Sequence, residues 1–332
     1  MADIAILGCG FGTALAVMLD ISGHNVICWS KYQDEIDAIL SDREHKRLLP
    51  GVKLSDSISF TSDPSCVKFA DMVIVAIPSR FVREAVSTVA PYINPKTVLL
   101  NVGKGFEEGS YSRLSEVISE VLPNNPVAVM AGPCHAEEVA RGVPTSVVVA
   151  SDFPEKAAYV QEIMMSPTFR VYLSDDVIGC EAAPALKNAI ALCCGIAEGM
   201  GLGDNTLAAL MTRGLTEITR LGVAMGAKWE TFTGLAGVGD LIVTCTSMHS
   251  RNHRAGLLIG KGEQVERAVE LIGTVEGYGC CKITRQLAEK MNVQMPIIEQ
   301  LYQVCFGGVT PHDAVKSLMT RPGKAEKEPF WK

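Results

Sequence analysis

Ile4-Ala5-Ile6-Leu7-Gly8-Cys9-Gly10-Phe11-Gly12-Thr13-Ala14-Leu15-Ala16 is the stretch on which the reading of the fold turns. Residues 4–7 are apolar and β-branched at alternate positions, as in a buried strand, and 13–22 read as a helix. Glycines between a first strand and a helix permit a tight turn. They also let backbone amides approach a pyrophosphate at the positive end of the helix dipole. Three glycines in isolation are weak and fit an ordinary loop. Their place between strand and helix makes Gly8, Gly10, Phe11 and Gly12 candidates for a dinucleotide cradle. The spacing is G-x-G-x-G, one residue shorter than the standard fingerprint.

Outward from this turn, short apolar runs alternate with amphipathic stretches. Strands are predicted over 25–29, 72–77, 97–102, 127–131 and 145–150, and helices over 34–41 and 81–89. Parallel strands need crossovers, so the alternation predicts a doubly wound, Rossmann-type α/β domain. From about Gly179 the pattern becomes helical, over 181–197, 208–225, 264–272, 281–291 and 296–306, with no strand after Tyr172. The expected organisation is a dinucleotide-binding domain over 1–178. An all-α domain over 179–332 would bind substrate and dimerise. No internal repeat appears, and the polar tail from Arg321 is expected to be mobile up to Trp331.

A chain of 332 residues with 48% hydrophobic and 20% charged residues can bury a large core, which argues against disorder. The net charge of −7 argues against nucleic acid or an anionic membrane as the main partner. A small anionic substrate would then need a local cluster of cations. The 11 cysteines are diluted through a long chain and several lie in apolar runs, with no C-x-x-C or Cys/His metal spacing. No metal site is expected, and reduced thiols imply the cytoplasm. An acidic residue at Asp3, where a strand already begins, argues against a signal peptide. No apolar run is long enough to predict a membrane span.

Several polar residues interrupt this apolar pattern. After the second strand come Ser30-Lys31-Tyr32, where an NAD-selective site places an acid for the ribose 2′-hydroxyl. Lys31 suits a 2′-phosphate and points to NADPH; an ordinary solvated lysine fits equally well. Lys104 stands between Gly103 and Gly105 at the carboxyl end of a strand, the edge where open α/β sheets bind ligands. Gly132-Pro133-Cys134-His135-Ala136 follows another strand in the same way. Lys187 and Asn188 interrupt a helix otherwise apolar on nearly all sides. Burying an unpaired ammonium is costly, so Lys187 either lies in a polar pocket or snorkels from the helix edge. Residues 234–241 present Asp240 on a glycine-rich and therefore flexible backbone. Ser250-Arg251-Asn252 offers a hydroxyl, a guanidinium fork and an amide, a set suited to phosphate, though it also reads as a surface helix start. His135, His249 and His253 sit in no recognisable catalytic context.

Taken together, Gly12-Thr13-Ala14-Leu15-Ala16, Gly103-Lys104-Gly105, Gly132-Pro133, Leu186-Lys187-Asn188, Gly237-Val238-Gly239-Asp240-Leu241, Ser250-Arg251-Asn252 and Val275-Glu276-Gly277 resemble the bacterial-type NAD(P)-dependent glycerol-3-phosphate dehydrogenases over nearly the whole chain. The resemblance implies reversible hydride transfer between NAD(P)H and dihydroxyacetone phosphate, in a homodimer that supplies sn-glycerol 3-phosphate for phospholipid synthesis. It implies that Lys187 exchanges the proton at the substrate C2 oxygen and that Lys104 contacts substrate and cofactor. Gly132, Cys134, Asp240, Ser250, Arg251 and Asn252 would contact substrate. Ala136, Arg251, Thr274 and Glu276 would line the cofactor. Two departures stand out. The first loop lacks the family's extra residue and tryptophan, carrying Phe11 alone. Cys134 stands where Ser or Thr is usual and is a poorer hydrogen-bond donor. The rival readings are a related two-domain dehydrogenase acting on a hydroxy acid or sugar acid phosphate, and a non-catalytic nucleotide sensor. The joint presence of both lysines, Asp240 and the Ser-Arg-Asn triplet argues against each.

Overall fold

The computed structural model describes residues 1–330, in two compact units, Met1–Glu181 and Ala182–Lys332. The first unit contains β1 (Asp3–Leu7), α1 (Phe11–Ile21), β2 (Asn25–Trp29), α2 (Gln33–Asp42), β3 (Ser59–Thr61), β4 (Met72–Val75), α3 (Val82–Val89), β5 (Val98–Asn101), α4 (Leu114–Val121), β6 (Val127–Ala131), α5 (Ala136–Ala140), β7 (Thr145–Ser151), α6 (Pro154–Met164) and β8 (Phe169–Ser174). The strands form one sheet of eight in the order β3-β2-β1-β4-β5-β6-β7-β8. All neighbouring pairs are parallel except β6 with β7, so the doubly wound sheet carries one antiparallel step. Alternation along the strands builds a core on each face. Ile4, Ile6, Met72, Ile74, Val98 and Leu100 pack in one. Ala5, Leu7, Val73, Val75 and Leu99 pack in the other, against Val82, Val86, Val117 and Ile118 of α3 and α4. The chain order reverses between β1 and β4, so the carboxyl ends of these two strands form the crevice where such sheets take ligands.

α7 (Val177–Gly199) begins in the first unit and continues in the second, so the expected junction at 178/179 falls inside one unbroken helix. Val177–Gly199 is the single helix of membrane-spanning length and composition among the described residues, and 89% of its apolar window is buried within the protein. The second unit adds α8 (Asp204–Ala224), α9 (Trp229–Phe232), α10 (Asp240–Thr246), α11 (Arg251–Gly260), α12 (Val265–Ile272), α13 (Glu276–Lys290), α14 (Pro296–Phe306) and α15 (Pro311–Met319). Among the described residues no strand follows Ser174. α7 and α11 cross at glycines: a Cβ on Gly195 or Gly199 would strike the backbone of His253 or Leu257, and one on Gly256 or Gly260 that of Leu192 or Ile196.

Two sequence expectations fail here. The stretch before Asp240 is not flexible, because Leu235–Gly239 form a π-helical turn running into α10. Gly237 packs directly on the Phe232 backbone, which only a residue without a side chain allows. The tail is not loose over its described part, since the buried Glu328 carboxylate pairs with Arg213 (3.1 Å), Arg220 (2.9 Å) and Lys324 (3.0 Å). Trp331, the expected limit of the mobile tail, lies outside the described residues.

Candidate active site

In the first unit, the shortened glycine loop is closed by its own backbone and one hydroxyl. Gly8 N donates to Trp29 O (2.8 Å), and Thr13 Oγ1 donates to Cys9 O (2.5 Å). Helix α1 starts at Phe11, two residues earlier than predicted, with Gly10 as N-cap and no side chain capping its first amides. Those amides are left for another acceptor, and the helix dipole favours an anion there. Gly8 has φ +102, and a Cβ on it would stand 2.5 Å from Ala76 O; one on Gly12 would stand 2.7 Å from Ile6 Cγ2. The turn therefore has the shape and polarity to fit a dinucleotide pyrophosphate, which the amides from Gly10 to Gly12 would hold. Phe11 is partly buried and packs against the core beneath the cradle. Burial pushes the Cys9 thiol up to about 12, so it is inert at neutral pH.

Lys31, beyond β2, is partly exposed and forms an ion pair with Glu84 of α3 at 2.8 Å. Further along the sheet, Lys104 Nζ donates to Gly132 O at 3.4 Å, and Cys134 Sγ donates to the same carbonyl at 3.2 Å. Lys104, Gly132 and Cys134 thus meet in one place, with Ala136 opening α5 two residues on. The Lys104 loop is braced from behind. Gly103 N donates to Asn101 Oδ1 (3.0 Å), and the buried Glu181 carboxylate accepts from Asn101 Nδ2 (3.4 Å), Ser115 N (2.8 Å) and Arg113 (2.8 Å). Burial raises the Glu181 pKa, while these donors oppose the rise.

In the second unit, Lys187 is 3% exposed and Asp240 1% exposed. Lys187 Nζ forms an ion pair with Asp240 Oδ1 and donates to Asp240 O (3.2 Å) and Thr244 Oγ1 (2.6 Å). The helix edge is excluded and the polar pocket holds. Asn188, the next residue, accepts from Asn252 Nδ2 (3.0 Å) and donates to Glu276 Oε2 (3.1 Å). Asn252 Oδ1 in turn accepts from Gly277 N (2.8 Å). Lys187, Asp240, Asn252 and Glu276 are thereby gathered from α7, α10, α11 and α13.

The other predicted residues of this unit are placed differently. Ser250 is the N-cap of α11, its hydroxyl accepting from His253 N at 3.2 Å. Arg251, first in that helix, is exposed, as is Thr274 ahead of α13. His253 is buried against Glu198 at 3.3 Å, and burial lowers its pKa. Thr244 and the pairing role of Asn188 were not singled out in the sequence. Thr244 lies one helical turn after Asp240, on the same face, and that spacing was the available signal.

The chain matches two family models of NAD-dependent glycerol-3-phosphate dehydrogenase, the N-terminus over residues 3–157 and the C-terminus over residues 176–316. It belongs to the NAD-dependent glycerol-3-phosphate dehydrogenase family. Similar family members include the glycerol-3-phosphate dehydrogenase [NAD(P)+] of Desulfitobacterium hafniense, 49% identical over 330 residues, covering 99% of this chain and 94% of the relative. That of Moorella thermoacetica is 49% identical over 329 residues, covering 98% of each. The crystal structure of glycerol-3-phosphate dehydrogenase from Coxiella burnetii superposes with a TM-score of 0.92 at 37% identity, covering 96% of this chain and 99% of the other. The fold of this glycerol-3-phosphate dehydrogenase family member is therefore a mostly parallel Rossmann-like sheet domain followed by a helical domain.

Proposed function

We propose that this chain reduces dihydroxyacetone phosphate to sn-glycerol 3-phosphate with NAD(P)H, and the reverse, with Lys187 as the proton donor and acceptor. The observation that carries the assignment is the Lys187 ammonium, buried on an apolar helix and fixed by Asp240 and Thr244. Such a cation would be costly to bury without a task or a partner, and here the partner holds it in one orientation.

The nicotinamide, when bound, supplies the hydride that goes to the carbonyl carbon. As the ketone oxygen gains negative charge, Lys187 stabilises it and passes it a proton, which solvent later replaces. Asp240 keeps the amine oriented and balances its charge. Thr244 accepts from Nζ while its own proton goes to Asp240 O (2.7 Å), which fixes the direction of that hydrogen bond. Arg251 and the second amide hydrogen of Asn252 are assigned to the phosphate, with Ser250 at the helix start beside them. Lys104, Gly132 and Cys134 are assigned to substrate contacts, with Lys104 also facing cofactor. Gly8, Gly10, Phe11, Gly12, Ala136, Thr274 and Glu276 are assigned to the cofactor, with Arg251 shared.

Lys31 supports NADPH as the preferred cofactor, since it stands where an acid would select NADH. A homodimer is supported by a cavity of about 280 Å³ in the second unit, lined by Ile196, Met200, Leu210, Leu301, Val315 and Leu318, with Met319 largely exposed beside it. Light scattering at micromolar concentration tests that state. We assign the chain to the cytoplasm, where thiols stay reduced, and its product to phospholipid synthesis, as the family resemblance implies. Reduction of NAD(P)+ with sn-glycerol 3-phosphate, compared with a hydroxy acid and a sugar acid phosphate, tests the assignment. Turnover confined to the last two would overturn it.

A further inference from the structure

The Lys31 ammonium has a defined set of neighbours. Its Nζ lies 2.8 Å from Glu84 Oε1, 5.2 Å from the ring centroid of Tyr32 and 5.4 Å from that of Phe81. Arg80 rests on the same Phe81 ring at 4.6 Å, so two cations share one aromatic side chain and one of them is paired with an acid. Lys31 and Glu84 are 53 residues apart in sequence, so their pairing comes from the fold and not from neighbouring turns of one helix. Both side chains face water, at 38% and 58% exposure, and an ion pair so placed adds little to stability. Its consequence is electrostatic. Beside the end of β2, where a ribose 2′-substituent is read, Glu84 offsets one of these two cations. The other acid nearby, Glu35, is engaged by Ser30 Oγ (2.6 Å), His45 (3.4 Å) and Arg47 (3.6 Å).

We propose that Glu84 sets the discrimination between the two nicotinamide cofactors, by holding Lys31 and repelling a 2′-phosphate, so that NADH is used alongside NADPH. This inference rests on the reading that Lys31 stands beside the cofactor ribose. A 2′-hydroxyl is neutral and indifferent to the carboxylate. A 2′-phosphate must share Lys31 with Glu84 or displace it, against like-charge repulsion at a few ångströms. With Glu84 the trio of Lys31, Arg80 and Glu84 carries a net charge of +1 (two cations less one anion); with glutamine there it carries +2.

The test is calorimetric binding of NADP+ and NAD+ to the full chain without substrate, so that no turnover enters, using the parent, Glu84→Gln and Lys31→Ala. Because Glu84 is exposed on α3, its amide replacement leaves the fold intact. Glu84→Gln is expected to raise the NADP+/NAD+ affinity ratio about tenfold at low salt, shrinking to a few-fold at ~0.5 M salt. The kcat/KM ratio for the reduced cofactors should move the same way. An affinity ratio unchanged by Glu84→Gln, or an equal gain for both cofactors, overturns the inference whatever Lys31→Ala does. Lys31→Ala probes the underlying reading separately. If the ratio ignores Lys31→Ala but responds to Glu84→Gln, the lysine is not at the phosphate, and the carboxylate discriminates by repulsion alone.

Discussion

Gly195 of α7 packs directly on the His253 carbonyl of α11, leaving no room for even a methyl group between the helices. Gly199, Gly256 and Gly260 make the same approach along the crossing. This closeness lets Asn188 on one helix reach Asn252 on the other at 3.0 Å. Gly195→Ala should therefore cost about 2–3 kcal/mol by overpacking, read as a lower urea midpoint. The helices would part, and kcat should fall as well because Lys187 is the next residue to Asn188. A variant as stable and active as the parent would show that the close crossing is not needed.

Thr244 holds Lys187 Nζ at 2.6 Å and passes its own proton to Asp240 O. Thr244→Val keeps the shape and removes the acceptor, leaving a buried ammonium short of one partner. A loss of about 1.5–3 kcal/mol in stability is expected, with a kcat reduction of roughly tenfold. Thr244→Ser should restore both. Equal kcat for the valine and serine variants would separate Thr244 from the lysine.

Glu217 is buried on α8, and its carboxylate accepts from Ile297 N (2.9 Å) and Ile298 N (3.4 Å) at the start of α14. Burial pushes its pKa up to about 7, against an ordinary value of 4.5. Between these values the folded chain holds a proton that the unfolded chain has released, so this group's contribution is full below the lower value. It is lost as pH rises through about 7. The parent should lose up to about 3 kcal/mol between pH 5 and 8 relative to Glu217→Gln, which cannot ionise. Parallel stability curves for the two proteins would contradict this.

Arg251 is exposed at the first position of α11, where it can meet a phosphate without first breaking a buried pair. Arg251→Ala should raise KM for dihydroxyacetone phosphate by about tenfold or more, with a smaller change in kcat. An unchanged KM would take Arg251 out of the phosphate site.

Much of this architecture is legible in the amino-acid pattern itself. Residues 4–7 and 127–131 declare themselves as strands because buried parallel strands are continuous apolar runs. The helix at 296–306 is bounded by Pro296 at its start and Gly307 at its end, both ordinary signals. Lys187 was conspicuous because an ammonium inside an apolar helix needs a partner, and the partner proved to be Asp240. What local pattern did not show depends on tertiary contact. β3 has three residues, too few for a periodic signal, and forms only by pairing with β2. β7 has a valine-rich centre like the parallel strands, so its antiparallel pairing with β6 is invisible along the chain. The glycines before Asp240 suggested mobility, whereas packing of Gly237 onto Phe232 uses their lack of side chains to build an ordered turn. Glu328 looked like part of a polar tail until Arg213, Arg220 and Lys324 surrounded it.

The central claim is that the Lys187 ammonium gives the ketone its proton, and single-turnover reduction of dihydroxyacetone phosphate by Lys187→Met and by the parent, at saturating cofactor, measures it most directly. The account predicts a rate lower by about 10²-fold or more, with cofactor affinity retained. Parental single-turnover rates in the methionine variant would contradict it.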